Sequence, residues 1–452
     1  MTMIEEALSG ATDTKACVIG PGAVESSAQM FRGLFPAARN AIVVEDPRTK
    51  AVAGGRTASL LAAAGVAVEE YVVNPDGSDF HATYDKVEEV RDALAASGAP
   101  AVAVGSGTIN DLVKRASGEL DRQYMVVGTA ASMDGYTSYG AAITKDGMKQ
   151  TLDCRAPAGC IVDSAVAAGA PREMTASGYA DLLAKIPAGA DWMLADLVGS
   201  EAIHPLAWRL VQDSLRDALA NPSGCASGDE REVRKLCEGL VMSGFAMQAM
   251  GSSRPASGTE HQVSHYWDME DLSFGGRPVS HGFKVGVGTL ASTAALEFLL
   301  ERDLSALDAE KAAARWPSFG EFKAKFPSVF GDRPAHIRRA ESEYAKKCPA
   351  REELARELST IRGAWRGFAP RLREQLMPFA EARDRLRRAG APVEPEQIGV
   401  SRARFRETLR GVPYMRSRYF GLDLVLELGL MDELEARLFG RGGMWEVGDD
   451  DV

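Results

Sequence analysis

Three of the six histidines in this chain fall in one short segment. They are His261 and His265, in SRPASGTEHQVSHYWDM (residues 253–269), and His281, in SHGFKVGVGTL (residues 280–290). His261 and His265 stand four residues apart, so one face of a helix carries both imidazoles. His281 opens the next helical stretch, just before Gly282. Two neutral imidazoles and a carboxylate, with one position left open, form a metal site that still admits a substrate. Asp181 (in GYADLLAKIPAGADW), Glu260 and Asp268 are the carboxylates that could complete such a set. A single histidine would be read as packed or solvated; three crowded among Gly and Ser turns point to a site.

Two further clusters are suited to a nucleotide. Gly105-Ser106-Gly107-Thr108-Ile109-Asn110-Asp111 follows the apolar run Ala101–Val104. Glycine there lets the backbone approach a ligand, and the helix that follows offers free N–H groups and a positive dipole end to phosphate. The spacing departs from G-x-G-x-x-G, because Asp111 stands near the place of the third glycine, and taken alone it fits a simple turn equally well. Gly128-Thr129-Ala130-Ala131-Ser132-Met133-Asp134-Gly135-Tyr136-Thr137-Ser138 is small and hydroxyl-rich, with one Asp. It suits hydrogen bonding to phosphate and sugar oxygens better than it suits a linker. Asp46 ends a strand-like run. It can accept from an adenosine ribose while repelling a 2′-phosphate, or it can start the turn before Pro47.

The elements that would carry these residues change along the chain. Strand-like runs at Ala16–Ile19, Asn40–Val44, Val66–Val73, Ala101–Val104 and Tyr124–Val127 alternate with helical patterns at 24–34 and 82–97. That alternation is the signature of a parallel sheet with crossover helices, hence a doubly wound, Rossmann-like α/β domain over residues 1–170. Residues 138–163 read as short β pieces, expected to form a hairpin closing that domain. From about Pro171 strand signals vanish, and 206–219, 233–250, 285–300, 351–390 and 402–440 have helical spacing. An all-α domain is therefore expected over 171–452, with a helical extension from about 330 that is rich in Arg between His336 and Arg410. Its alternating Glu and Arg read as solvated faces. The acidic end GDDDV is expected to be mobile.

Composition narrows the function. The 452 residues carry 52 Lys plus Arg against 63 Asp plus Glu, a net charge of −11, which argues against a nucleic-acid binder. Six cysteines lie at 17, 154, 160, 225, 237 and 348, with no C-x-x-C pair, so neither a disulfide framework nor a cysteine zinc site is indicated. The start MTMIEEALSG lacks a basic segment followed by an apolar run, and a cytoplasmic protein without membrane insertion is the expectation.

The motifs GSGTINDL, TAASMDGYTS, YADLLAKIPAGADW, SRPASGTEHQVSHYWDM and HGFKVGVGT together resemble, in order, those of the sn-glycerol-1-phosphate dehydrogenase family. That family lies in the superfamily of iron-containing alcohol dehydrogenase, glycerol dehydrogenase and dehydroquinate synthase. The resemblance spans residues 105–290. It implies a dehydroquinate synthase-like fold and NAD(P)H-linked interconversion of dihydroxyacetone phosphate and sn-glycerol-1-phosphate. By the same resemblance Asp46 would hold the adenosine ribose, and Gly105, Ser106, Gly107 and Asp111 would line the pyrophosphate. Thr129, Ser132 and Ser138 would also contact NAD or NADP. Asp181, His261 and His281 would bind one divalent metal (zinc, nickel or iron), and Asp134, Asp181 and His265 would meet the substrate. Val127-Gly128 stands where the family's pattern has a proline-containing turn. Arg254 or Lys284 is the cation available for a substrate phosphate. A polyol dehydrogenase acting on an unphosphorylated or different phosphorylated substrate is the alternative, and a homo-oligomer is expected by analogy.

Overall fold

The alternation of apolar runs and helical patterns folds as it reads. A computed structural model describes residues 2–145 and 148–448, and by contact the chain forms two units. The first unit comprises Met1–Leu182, Pro205–Ala256 and Arg388–Ala391. Its strands are β1 (Ala16–Gly20), β2 (Asn40–Glu45), β3 (Ala67–Val72), β4 (Ala101–Gly105), β5 (Tyr124–Gly128), β6 (Ala141–Lys145), β7 (Met148–Leu152) and β8 (Gly159–Asp163). Six of them make one sheet in the order β1-β8-β5-β4-β2-β3, and every pair in it is parallel. β4, β5 and β8 are buried at every position, as a sheet covered on both faces requires. β3, at one edge, keeps its Glu pair exposed.

The stretch 138–163 differs from expectation. β6 and β7 do pair as an antiparallel hairpin, but β8 inserts into the main sheet between β1 and β5. Its apolar run is only Cys160-Ile161-Val162, too short to stand out from the hairpin before it. The units are also interleaved along the chain, whereas two consecutive segments divided at 170/171 were expected. The helix Glu230–Met250 packs on the helices Met3–Gly10, Ser164–Ala168 and Pro205–Gln212 and against β1. It buries Val233, Leu236, Leu240, Val241 and Phe245, and so belongs with the first unit.

The second unit comprises Leu183–His204, Ser257–Arg387 and Pro392–Val452, and it is helical apart from one small hairpin. That hairpin, β9 (Ser273–Phe274) with β10 (Arg277–Pro278), turns through Gly275 and Gly276, both at positive φ as a two-residue hairpin turn demands. Its strands are two residues each, below what a pattern of alternation can reveal. The helix His281–Leu300 is long and apolar enough to cross a membrane, yet 89% of its apolar window is buried inside the protein. It is the core helix of this unit and packs on Thr259–Asp268. The expected helices at 351–390 and 402–440 are present as Arg351–Gln375, Phe379–Ala389, Arg402–Gly411, Gly421–Glu427 and Met431–Phe439. The acidic end at 449–452 lies outside the described residues.

Candidate active site

In the first unit the two small-residue loops leave the sheet side by side, because Gly105 at the end of β4 pairs with Gly128 at the end of β5. Ser106 holds the N-cap position of the helix Gly107–Glu119 without a side-chain hydrogen bond to its first turn. A Cβ on Gly105 would lie 2.7 Å from that of Ile109, so glycine is what allows the chain to turn this tightly into the helix. The Thr129 N–H donates to the Gly105 carbonyl at 3.1 Å, tying one loop to the other.

The loop after β5 is held by residues that sequence reasoning missed. Lys114 is buried, and its Nζ donates to the carbonyls of Gly135 (2.8 Å), Ser138 (2.9 Å) and Gly140 (3.1 Å). Asn110 Nδ2 donates to the Gly135 carbonyl at 3.2 Å and receives the Tyr124 hydroxyl at 2.9 Å on its own oxygen. From the opposite side Thr137 Oγ1 donates to the Val241 carbonyl at 2.7 Å, and a Cβ on Gly244 would come within 2.2 Å of that hydroxyl. The Ser132 carbonyl accepts from Ser177 at 3.3 Å, and the buried Ser138 donates to Gly135 at 3.1 Å. A polar network of this kind favours one loop conformation. The available signal was the polar stripe Asn110, Lys114, Ser117 at helical spacing, all three buried.

Asp46 and Asp111 do structural work at the positions singled out for cofactor. Asp46 Oδ1 caps a helical turn, accepting from the N–H groups of Arg48 (2.7 Å) and Thr49 (2.8 Å). Asp111 Oδ2 accepts from the Ala142 N–H at 3.1 Å and so anchors β6; burial pushes its carboxyl up, with Lys114 at 3.7 Å pulling it back. Beside Asp46, Glu45 is buried with neither carboxylate oxygen hydrogen-bonded and Lys50 Nζ 3.7 Å away. Desolvation, reinforced by Glu70 and opposed by Lys50, pushes it to about 7.

Asp181, His261 and His281 each offer one ligand atom, and these atoms lie within 4.8 Å of one another. Asp181 sits in the last turn of Arg172–Leu183, and its Oδ2 accepts the Asp134 N–H at 3.1 Å. Asp134 in turn receives the Ser243 hydroxyl at 2.9 Å. His261 is buried on the helix Thr259–Asp268, and its Nδ1 is 2.8 Å from Glu260 Oε1. With Nδ1–H donating to Glu260 Oε1, Nε2 is the nitrogen left to face a metal. Of the three carboxylates open at the start, Glu260 is thus engaged behind His261. Asp268 is engaged with the buried ammonium of Lys284, which is a core ion pair rather than a free cation for phosphate. His265 keeps 43% of its side chain exposed, 3.6 Å from Asp268. Desolvation lowers its pKa, and Asp268 opposes the shift. Arg254 is buried, in the short helical turn Arg254–Ala256.

One carboxylate and two imidazoles brought this close form a donor set that can hold a divalent metal. A sequence model of the family described as iron-containing alcohol dehydrogenase matches residues 18–171. Among solved structures, a probable glycerol dehydrogenase from Sinorhizobium meliloti shares the fold. It superposes with a TM-score of 0.58 at 15% identity, covering 93% of this chain and 98% of that one. The class is thus that of the iron-containing alcohol dehydrogenase fold. Three relatives are named glycerol-1-phosphate dehydrogenase [NAD(P)+]. That of Methanosarcina acetivorans is 32% identical over 60% of this chain and 74% of its own length. That of Bacillus licheniformis is 29% identical over 92% and 90%. That of Halalkalibacterium halodurans is 36% identical over 56% of this chain, and the match spans 63% of that relative's length, under two thirds. The chain belongs to the glycerol-1-phosphate dehydrogenase family.

Proposed function

We propose that the chain interconverts dihydroxyacetone phosphate and sn-glycerol-1-phosphate with NADH or NADPH. The observation that carries the proposal is the set Asp181, His261 and His281, with Glu260 fixing the tautomer of His261. Those donors fit a divalent ion; nitrogen and oxygen ligands suit zinc, nickel and iron(II) alike. When bound, the ion supplies Lewis acidity toward the substrate oxygen, and the nicotinamide supplies the hydride.

The chain's own residues bind, orient and move protons. The N-terminal turn of Gly107–Glu119, with Gly105, Ser106 and Gly107, is assigned to the pyrophosphate. Thr129, Ser132 and Ser138, on the loop that Lys114 immobilises, are assigned to the nicotinamide half. Asp46 keeps its second carboxylate oxygen for the ribose; Asp111 lines the turn while holding β6. Asp134 orients Asp181 and is assigned to the substrate. The half-exposed His265 is assigned to passing the alcohol proton to solvent, and its lowered pKa favours the neutral imidazole that can accept that proton. Arg254 is assigned to the phosphate ester, with Lys284 already paired to Asp268. A homo-oligomer and cytoplasmic residence complete the reading.

The test is consumption of NADH and NADPH by metal-loaded protein, with dihydroxyacetone phosphate compared with dihydroxyacetone. Turnover of the phosphate ester alone, lost on chelation and in His261→Ala, is expected. Turnover of dihydroxyacetone alone would move the chain to a polyol dehydrogenase activity.

A further inference from the structure

The Arg-rich extension is left without a task by the reading above, and its charges were expected to be solvated. Two of its arginines, each with 30% of its side chain exposed, turn inward on one nearly buried carboxylate. Glu270, two residues past the helix Thr259–Asp268 that carries His261 and His265, keeps only 11% of its side chain exposed. Arg333 Nε stands 2.7 Å from its Oε1, and Arg404 Nε donates to its Oε2 at 3.1 Å. The two cations come from different elements, Arg333 from the N-terminal boundary of Pro334–Tyr344 and Arg404 from Arg402–Gly411.

The same elements grip the neighbouring side chains. Trp267 Nε1 donates to Thr408 Oγ1 at 2.9 Å, and its ring meets Phe405 at 5.6 Å. The His336 ring lies 4.4 Å from that of Tyr266, with its Nε2 3.3 Å from the Tyr266 carbonyl. A Cβ on Gly411 would come within 2.8 Å of the Tyr266 ring, so backbone itself closes on the helix. The other end of the helix is fixed separately, by the Thr259 N–H to Asp191 Oδ2 at 2.7 Å. The helix is therefore a short rigid rod pinned at both ends, and the extension supplies the second pin.

We propose that Glu270, Arg333 and Arg404 are positioning residues. Through them the extension fixes the angle at which the helix presents His261 and His265, so residues 330–452 are part of the machinery rather than an appendage. The inference rests on the metal and substrate roles proposed for those two histidines. A misplacement of about 1 Å at a reacting centre is enough to cost about a hundredfold in rate, so a pin of this kind has leverage.

The test compares Glu270→Gln, Arg404→Met and the double variant with wild type, as full-length metal-loaded protein. Metal affinity is read by chelator competition, which needs no substrate. The KM for dihydroxyacetone phosphate and kcat are read at saturating NADH, and thermal unfolding is followed in parallel. Expected are about tenfold weaker metal binding, a raised KM with lowered kcat, and a double variant no worse than the singles. Arg404→Lys is expected to recover part of both readouts. Unchanged metal affinity and unchanged KM and kcat, with only a lower Tm, would overturn the proposal, since a purely structural pair behaves so. If wild type binds metal but turns over neither triose, the proposed function fails and the metal affinities alone decide the pin.

Discussion

Glu260→Gln isolates the contribution of one buried negative charge to the metal centre. Glu260 Oε1 lies 2.8 Å from His261 Nδ1 and accepts the Gly258 N–H at 2.6 Å. The other oxygen, Oε2, is buried with no hydrogen-bond partner among the described residues. Glutamine keeps the shape and both bonds to Oε1, and it replaces an unsatisfied acceptor by an unsatisfied donor, so fold stability changes by about 1 kcal/mol or less. What is lost is the charge that raises the basicity of His261. Partners behind a ligand are worth 10–100-fold in metal affinity, and with the hydrogen bond retained the lower end applies, about tenfold or about 1.4 kcal/mol. Glu260→Ala also strands the Nδ1 proton and the Gly258 N–H, so its metal affinity falls toward about a hundredfold and its stability by about 1–3 kcal/mol. Chelator competition on matched apo samples measures the affinities, and thermal unfolding separates folding losses from binding losses. Wild-type metal affinity in both variants would refute the assignment of Glu260 as the carboxylate behind His261.

Other perturbations address the first unit. Lys114→Met takes the ammonium from the buried Ser138 and Gly140 carbonyls, while the Gly135 carbonyl keeps Asn110 and Ser138; a loss of about 2–4 kcal/mol and at least tenfold weaker NADH binding by fluorescence titration are expected. NADH affinity equal to wild type in the folded variant would show that this loop does not touch cofactor. Burial holds the Glu45 proton to about 7 in the fold, whereas the unfolded chain releases it near the ordinary glutamate value of 4.5. The folded state thus binds more protons between those values, and stability falls as pH rises through that window, by at most about 3 kcal/mol. Glu45→Gln should therefore raise Tm at pH 8 and leave it unchanged at pH 4, and an equal effect at both would contradict this. Asp46→Ala should cost about 1 kcal/mol as a lost cap and shift the NADP/NAD preference toward NADP. A lower Tm with an unaltered preference would leave Asp46 only its capping role.

The sheet was legible where strands are continuous apolar runs, as at Ala101–Val104, and the helical half where apolar residues recur at three and four. The histidine trio was legible by composition alone. Spacing alone did not choose among Asp181, Glu260 and Asp268, because it puts Glu260 and Asp268 nearest; the family resemblance named Asp181, whose carboxylate comes from a helix some eighty residues upstream. Lys284 looked like a free cation and is a buried partner, a distinction that only the neighbouring Asp268 decides. Lys114 escaped notice because a lone lysine on a helix is ordinarily solvated. The Arg-rich stretch read as solvated for the same reason: alternating charge describes Arg356–Arg387 well but says nothing about which two arginines fold back onto Glu270.

The place of β8 bears on how the chain is made. β1 has a single neighbour in the sheet, and the pairing of Ala16 with Gly159 joins residues far apart in sequence. A nascent chain emerging N-terminus first must hold β1 unpaired until residues 159–163 leave the ribosome, while β2, β3, β4 and β5 can already assemble beside one another. During that interval β5 and β1 are both open edges seeking the same missing strand. Synthesis stalled before residue 159 would yield a four-stranded sheet with a vacant seam, an aggregation-prone species and a natural client for chaperones.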